Sequence, residues 1–193
     1  MEQIDNHNLY QKGLVELEKK GLVEISSLAW WSVSSYKHNN GLKELREDNP
    51  DTYWQSDGNL PHSLKLHFSK KVSVERISLF TNYQLDESYS PQVISVYSGN
   101  GEHDLIKVTT CELVEPIGWS HIIFNGVRED GILNTFFIKL SFESNHQSGK
   151  DTHIRSLKVC SPRNIVNKSD STDLINCEVK PTSIRLISES GIR

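Results

Sequence analysis

Phe136, Ile138, Leu140 and Phe142 fall on one side of an alternating run, with Lys139, Ser141 and Glu143 on the other. Successive side chains of an extended strand point to opposite faces, so this run predicts a strand with one face buried and one wet. The same period-two signal recurs in Leu64, Leu66 and Phe68 against Lys65 and His67, then in Ile77 and Leu79. It continues through Val93-Ile94-Ser95-Val96-Tyr97, residues 119–124, and Leu157 with Val159. Turn chemistry separates the runs: Gly99-Asn100-Gly101, Pro116-Ile117-Gly118, Asn125-Gly126 and Asp130-Gly131. Many short alternating strands with such punctuation imply an all-β sandwich or barrel rather than a parallel α/β sheet.

The flanks differ. Residues 9–20 predict a short helix, with Leu14, Val15 and Leu17 as its apolar stripe and Gly21 as its stop. A second short helix is expected at residues 42–47, ended by Asn49-Pro50 because a residue before proline avoids helical angles. After Pro162 the chain turns rich in Ser, Thr, Asn and charge, the composition of a flexible tail. The expected organisation is a helical extension over 1–26, a β domain over 27–162 and a tail over 163–193.

Composition narrows the function. With 21 Lys and Arg against 25 Asp and Glu, the formal net charge is -4. No basic stripe is present, which argues against nucleic acid as a partner. The polar, acidic start lacks the basic and apolar regions of a secretory signal, and no run reaches the roughly 20 apolar residues of a membrane span. Cys111, Cys160 and Cys177 are odd in number and widely spaced, so they read as reduced thiols of the nucleus and cytoplasm rather than a disulfide framework or zinc motif. No cofactor is expected.

Three polar strings interrupt the strands. Residues 48–58 (Asp-Asn-Pro-Asp-Thr-Tyr-Trp-Gln-Ser-Asp-Gly) build a turn around Trp54. Its Asp51 and Asp57 fit loop-amide acceptors, or a cation loop. Asp86, Glu87, Ser88, Tyr89, Ser90 and Pro91 form an acidic, hydroxyl-rich loop with one aromatic. That composition suits peptide recognition as well as it suits an ordinary connection. Asn145, His146, Gln147, Ser148, Gly149, Lys150, Asp151, Thr152 and His153 offer directional donors and acceptors. His146, Asp151 and His153 could hold a metal, but a loop centred on Gly149 makes a poor cage. No serine has a nucleophile-elbow context, so an enzyme is not expected.

Taken in order, these strings resemble the Doc domain of the anaphase-promoting complex. The resemblance is carried by residues 48–58, 86–91, 113–119 and 145–153, with Trp30-Trp31-Ser32 at the domain's start, and it covers roughly residues 29–162. It implies a jelly-roll β-sandwich of the galactose-binding-domain type. It also implies a non-catalytic co-receptor that, with a propeller-type coactivator, grips the destruction-box degron of cell-cycle substrates and raises the processivity of ubiquitin addition. Carried over by position, Ser88, Tyr89, Ser90 and Pro91 would form one lip of the receptor surface. Asn145, His146, Gln147, Asp151, Thr152 and His153 would form the other. Asp86, Glu87 and Asp151 would favour basic degron residues. The ending Ile192-Arg193 matches a tail that docks in a tetratricopeptide-repeat scaffold subunit. A carbohydrate-binding module on the same sandwich is the rival reading, since fold alone does not decide function.

Overall fold

The computed structural model describes residues 5–127 and 129–163. It opens with helix α1 (Asn6–Lys19), whose N-terminus is capped by the Asp5 carboxylate accepting the amides of His7 and Asn8. Gly21 adopts φ 68° just past the helix end, a conformation that favours glycine. The strands follow as β1 (Leu22–Glu24), β2 (Ala29–Val33), β3 (Trp54–Gln55), β4 (His62–Val74), β5 (Arg76–Asn82), β6 (Pro91–Gly99), β7 (Ile106–Glu112), β8 (Ile117–Ile123), β9 (Leu133–Asn145), β10 (His153–Ile154) and β11 (Ser156–Pro162). Two short helices, α2 (Leu42–Arg46) and α3 (Tyr83–Asp86), interrupt them.

All the pairings are antiparallel. One sheet has the order β1-β11-β5-β8 and the other β2-β4-β9-β6-β7, with β10 and β3 forming a two-stranded ribbon. The core lies between the sheets. Leu64, Leu66, Phe68, Ile94, Val96, Ile138, Leu140 and Phe142 face Ile77, Leu79, Ile122, Leu157 and Val159. Burial of each such side chain stabilises the fold by about 1.5–3 kcal/mol before conformational entropy is counted. The expected all-β sandwich is therefore the fold. Trp54 is fully buried, and its Nε1 donates to the Ser35 carbonyl at 2.9 Å.

Two local expectations need correction. Phe136 is only half-buried, because it lies opposite the irregular stretch where β4 shifts register between His67 and Val72. On α1, Val15 is exposed, and the packed face is Asn6, Tyr10, Gly13 and Leu17. Gly13 sits against β8 so closely that a Cβ there would come within 2.0 Å of Trp119 Cδ1. A glycine carries no apolar signal, so a stripe that runs through one is invisible to hydrophobic periodicity.

The segment before residue 27 is built into the sandwich rather than hung from it. Leu22, Val23 and Glu24 of β1 pair with Pro162, Ser161 and Cys160 of β11. Tyr10 packs edge-on against Phe80 at 5.1 Å and beside Trp119 at 5.2 Å, covering the outer face of the four-stranded sheet. Cys160 lies buried in β11, and burial pushes its thiol up to about 11. The expected tail, with Ile192 and Arg193, lies outside the described residues.

Candidate binding site at the loop end of the sandwich

The second and third polar strings meet at one end of the sandwich. At the end of β5 the Asn82 side chain accepts the amides of Gln84 and Leu85 and so starts α3. Glu87 then takes φ 44°, and a 3-10 turn over Glu87–Tyr89 leads into β6. At the end of β9 a second 3-10 turn, His146–Ser148, places Gln147 and Ser148 at φ 52° and 58°. Among the described residues, four of the five non-glycine positions with positive φ gather here: Glu87, Glu115, Gln147 and Ser148. Such conformations cost of order 1–3 kcal/mol each and persist only where the surroundings impose them.

The two expected lips form one surface. A Cβ on Gly149 would lie 1.7 Å from the Ser88 carbonyl oxygen, so only glycine allows the loops to close on each other. The Ser90 carbonyl accepts from the His146 amide at 2.9 Å and from His146 Nδ1 at 3.1 Å. The Glu115 amide donates to His146 Nε2 at 3.2 Å. These partners fix His146 as the tautomer with its proton on Nδ1. Asn145 donates to the carbonyls of Gly149 and Asp151 and accepts from Thr152 Oγ1. Gln147 reaches back to the Tyr83 hydroxyl at 3.0 Å.

Beneath the loops runs an aromatic stack. The His153 ring lies between Tyr53 and Tyr89, with centroids 4.3 Å away on each side and interplanar angles of 26° and 12°. Its Nδ1 meets Asp86 Oδ1 at 3.1 Å. Arg155 grips the same carboxylate with Nε to Oδ2 at 2.8 Å and Nη2 to Oδ1 at 2.7 Å, and donates from Nη1 to the Pro50 carbonyl. The Arg155 guanidinium also lies 5.3 Å from the Tyr53 ring. Burial pushes the Asp86 carboxyl up, but the hydrogen bonds from His153 and Arg155 and the charge of Arg155 outweigh it. The group is held below the usual aspartate range.

Burial sorts the sequence-derived site residues. Tyr89 is 39% exposed, Gln147 is exposed, and Ser88 and Asp151 are half-buried. Ser90, Pro91, Asn145, His146, Thr152 and His153 are buried and hold the loops and the stack in shape. Two electrostatic expectations are corrected. Asp86 is consumed by Arg155 and His153, and Asp151 pairs with Lys37 Nζ at 2.5 Å and accepts from Gln55. Neither carboxylate is free to attract a basic ligand; Glu87 alone of the three is exposed and without such a partner in this arrangement. His146, Asp151 and His153 point to separate partners, and among the described residues no group of three or more His, Cys, Asp or Glu is placed to hold a metal. Asp51 pairs with His7 of α1 at the surface, and the Asp57 amide donates to Ser35 Oγ.

Sequence reasoning missed the roles of Tyr53 and Arg155. Tyr53 had a usable signal: it precedes Trp54 in the same string, and if Trp54 points into the core its neighbour must point out. Arg155 had none, because a lone arginine after a strand gives no indication of which carboxylate it will meet.

Comparison with known proteins bears on the fold and the family. The fold resembles the family 32 carbohydrate-binding module of Clostridium perfringens NanJ in complex with galactose, with a TM-score of 0.59 and 16% identity over 72% of this chain and 99% of that one. A two-module structure from Clostridium perfringens ZmpB matches with a TM-score of 0.64 at 13% identity, over 79% of this chain and 39% of that one. At these identities the likeness shows the fold, a jelly-roll sandwich of the galactose-binding type. In sequence, the chain is 38% identical to anaphase-promoting complex subunit 10 of Schizosaccharomyces pombe, over 95% of this chain and 94% of that protein. It is 43% identical to the Homo sapiens subunit 10, over 76% and 80% respectively. The family profile described as "Anaphase-promoting complex, subunit 10 (APC10)" matches residues 2–190. The chain thus belongs to the family of subunit 10 of the anaphase-promoting complex, carrying the Doc domain of a cell-cycle ubiquitin ligase.

Proposed function

We propose that the chain is a non-catalytic co-receptor of that ligase, holding the destruction-box degron of its substrates against a propeller-type coactivator. The observation that carries this reading is the Tyr53–His153–Tyr89 stack. It is anchored on a buried Asp86–Arg155 pair and leaves Tyr89 open to solvent beside Ser88, Gln147 and Asp151. A rigid aromatic presented in this way gives a large contact area at little entropic cost on binding.

The mechanism is linkage. A short peptide binds each of two weak receptors, and once one contact forms the second becomes intramolecular. At effective concentrations near the millimolar range, avidity rises by about 10²-fold or more without new contacts. The substrate then stays through more rounds of ubiquitin addition. In this scheme the subunit works in the nucleus and cytoplasm, and Ile192 and Arg193 dock it to a tetratricopeptide-repeat scaffold subunit.

The test is ubiquitin-chain length on a degron-bearing substrate, in the reconstituted complex with coactivator. Tyr89→Ala should shorten chains per binding event several-fold while the subunit still assembles. Unchanged chain length with normal assembly overturns the site. Removal of Ile192 and Arg193 should instead lower recovery of the subunit with the complex. The carbohydrate reading rests on the fold alone, and Tyr89-dependent retention on a galactose-type glycan array would favour it.

A further inference from the structure

A third loop, residues 112–117, joins this end of the sandwich and plays no part in the co-receptor surface described above. Its Glu115 amide bonds His146, the Pro116 carbonyl accepts the Tyr83 amide at 2.8 Å, and Ile117 stands opposite Asn82 in the β5–β8 pairing. The loop is therefore continuous with α3 and, through Tyr83 and Gln147, with the Tyr89 surface. Three aliphatic side chains are left out in solvent here: Val114 is 81% exposed, Leu85 60% and Ile117 39%. The exposed residues among them are Gln84, Glu87, Glu112 and Glu115, and neither residues 84–87 nor residues 112–117 contain a lysine or arginine. Scattered exposed aliphatics need no explanation, but three carried with exposed carboxylates on two directly bonded segments beside the candidate surface do. Glu115 stands at φ 44°, so the loop holds its exposed tip in a conformation that a glycine would adopt more easily.

We infer that residues Leu85, Val114, Glu115 and Ile117 form a shelf for the stretch of substrate that flanks the degron, an extended segment with basic and aliphatic side chains. This rests on the co-receptor reading and extends it. The charge of the shelf selects cations, its aliphatics select apolar side chains, and its continuity with Tyr89 places a peptide leaving that ring directly upon it. Each added residue of an extended peptide advances about 3.3 Å, so a few residues beyond the core suffice to cross.

The experiment compares fluorescent peptides on the reconstituted complex with coactivator: the degron core, and the core with a Lys-Leu-Lys-Leu or a Glu-Ser-Glu-Ser extension at either end. One Lys-Leu extension should tighten binding about five-fold, a gain that shrinks as salt is raised, and the Glu-Ser extensions should not tighten it. Leu85→Ser with Val114→Ser should abolish the gain and leave the affinity of the core peptide as it was. The inference is overturned if neither Lys-Leu extension helps, or if the variant keeps the gain. It is also overturned if the variant lowers coactivator recruitment in the absence of peptide, since the shelf would then belong to the coactivator. Failure of Tyr89→Ala to weaken the core peptide would instead strike the co-receptor reading itself.

Discussion

Two aromatic trios, each tied to a carboxylate, sit at different places on this sandwich. On the outer face of the four-stranded sheet, Tyr10, Phe80 and Trp119 pack against one another at 5.1–5.3 Å, with the Tyr10 hydroxyl shared between Asp48 and Ser156. At the loop end, Tyr53, His153 and Tyr89 stack at 4.3 Å over Asp86. Tyr10 and Phe80 are fully buried and Trp119 is half-buried against Gly13 of α1, whereas the second trio leaves Tyr89 open. The backbone differs in the same direction: α1 is a regular capped helix, while the loops around Tyr89 contain Glu87, Gln147 and Ser148 at positive φ. Similar chemistry thus serves two ends. A closed trio converts its contact area into fold stability, and an open one on a strained, over-determined frame leaves area exposed, which the proposed co-receptor role would use.

The largest effect that could break this contrast is expected at the anchor. Asp86→Ala leaves the Arg155 charge buried without its partner, so unfolding free energy should fall by about 3–5 kcal/mol. Chemical denaturation checks this, and a loss below about 1 kcal/mol would mean that the pair does not hold the frame. Gly13→Ala comes next. A methyl group at 2.0 Å from Trp119 must displace the ring or the helix, costing about 1–3 kcal/mol, while degron-peptide affinity stays unchanged. A fall in affinity there would merge the two regions that the structure keeps apart.

Acid should sharpen the comparison further. The folded-state Asp86 carboxyl is held below its ordinary value, so its contribution is complete above about pH 4 and is lost as pH falls through the lower folded value. Denaturation midpoints between pH 6 and pH 3 should therefore drop more steeply for the natural chain than for Asp86→Asn. Parallel curves would assign the acid sensitivity elsewhere, for instance to Asp48, whose bond to Lys158 also holds it low. The smallest stability change belongs to Tyr89→Ala, at about 0.5–1.5 kcal/mol for the lost stack, with the largest loss in degron affinity. The same substitution at Tyr10 should reverse that pattern, with a large stability loss and little effect on the affinity of the folded fraction.

Much of this was legible in the residues themselves. Alternation in Leu64, Leu66, Phe68 and in Ile138, Leu140, Phe142 located the strands, because a period of two has one structural meaning. The loops around Tyr89 and Asn145 stood out as polar strings, but their composition fitted an ordinary connection equally well, and a receptor role came only from the resemblance to the Doc domain. What stayed hidden were contacts between residues far apart in sequence. The pairing of Asp86 with Arg155 is one, the sandwiching of His153 by Tyr53 and Tyr89 is another, and the contact of Gly13 with Trp119 is a third. Nor could composition tell that Asn145 and Thr152 would spend their polar groups on their own loop. An amide that builds a surface and one that binds through it look the same in sequence.

The most direct test of the open trio is to place a photoreactive phenylalanine analogue in a destruction-box peptide and map its crosslinks on the assembled complex with coactivator. The account predicts label on this subunit at Ser88, Tyr89, Gln147 and Asp151, lost when unlabelled degron competes. Competable label on α1 or the outer face of the four-stranded sheet, with none at those four residues, would contradict it.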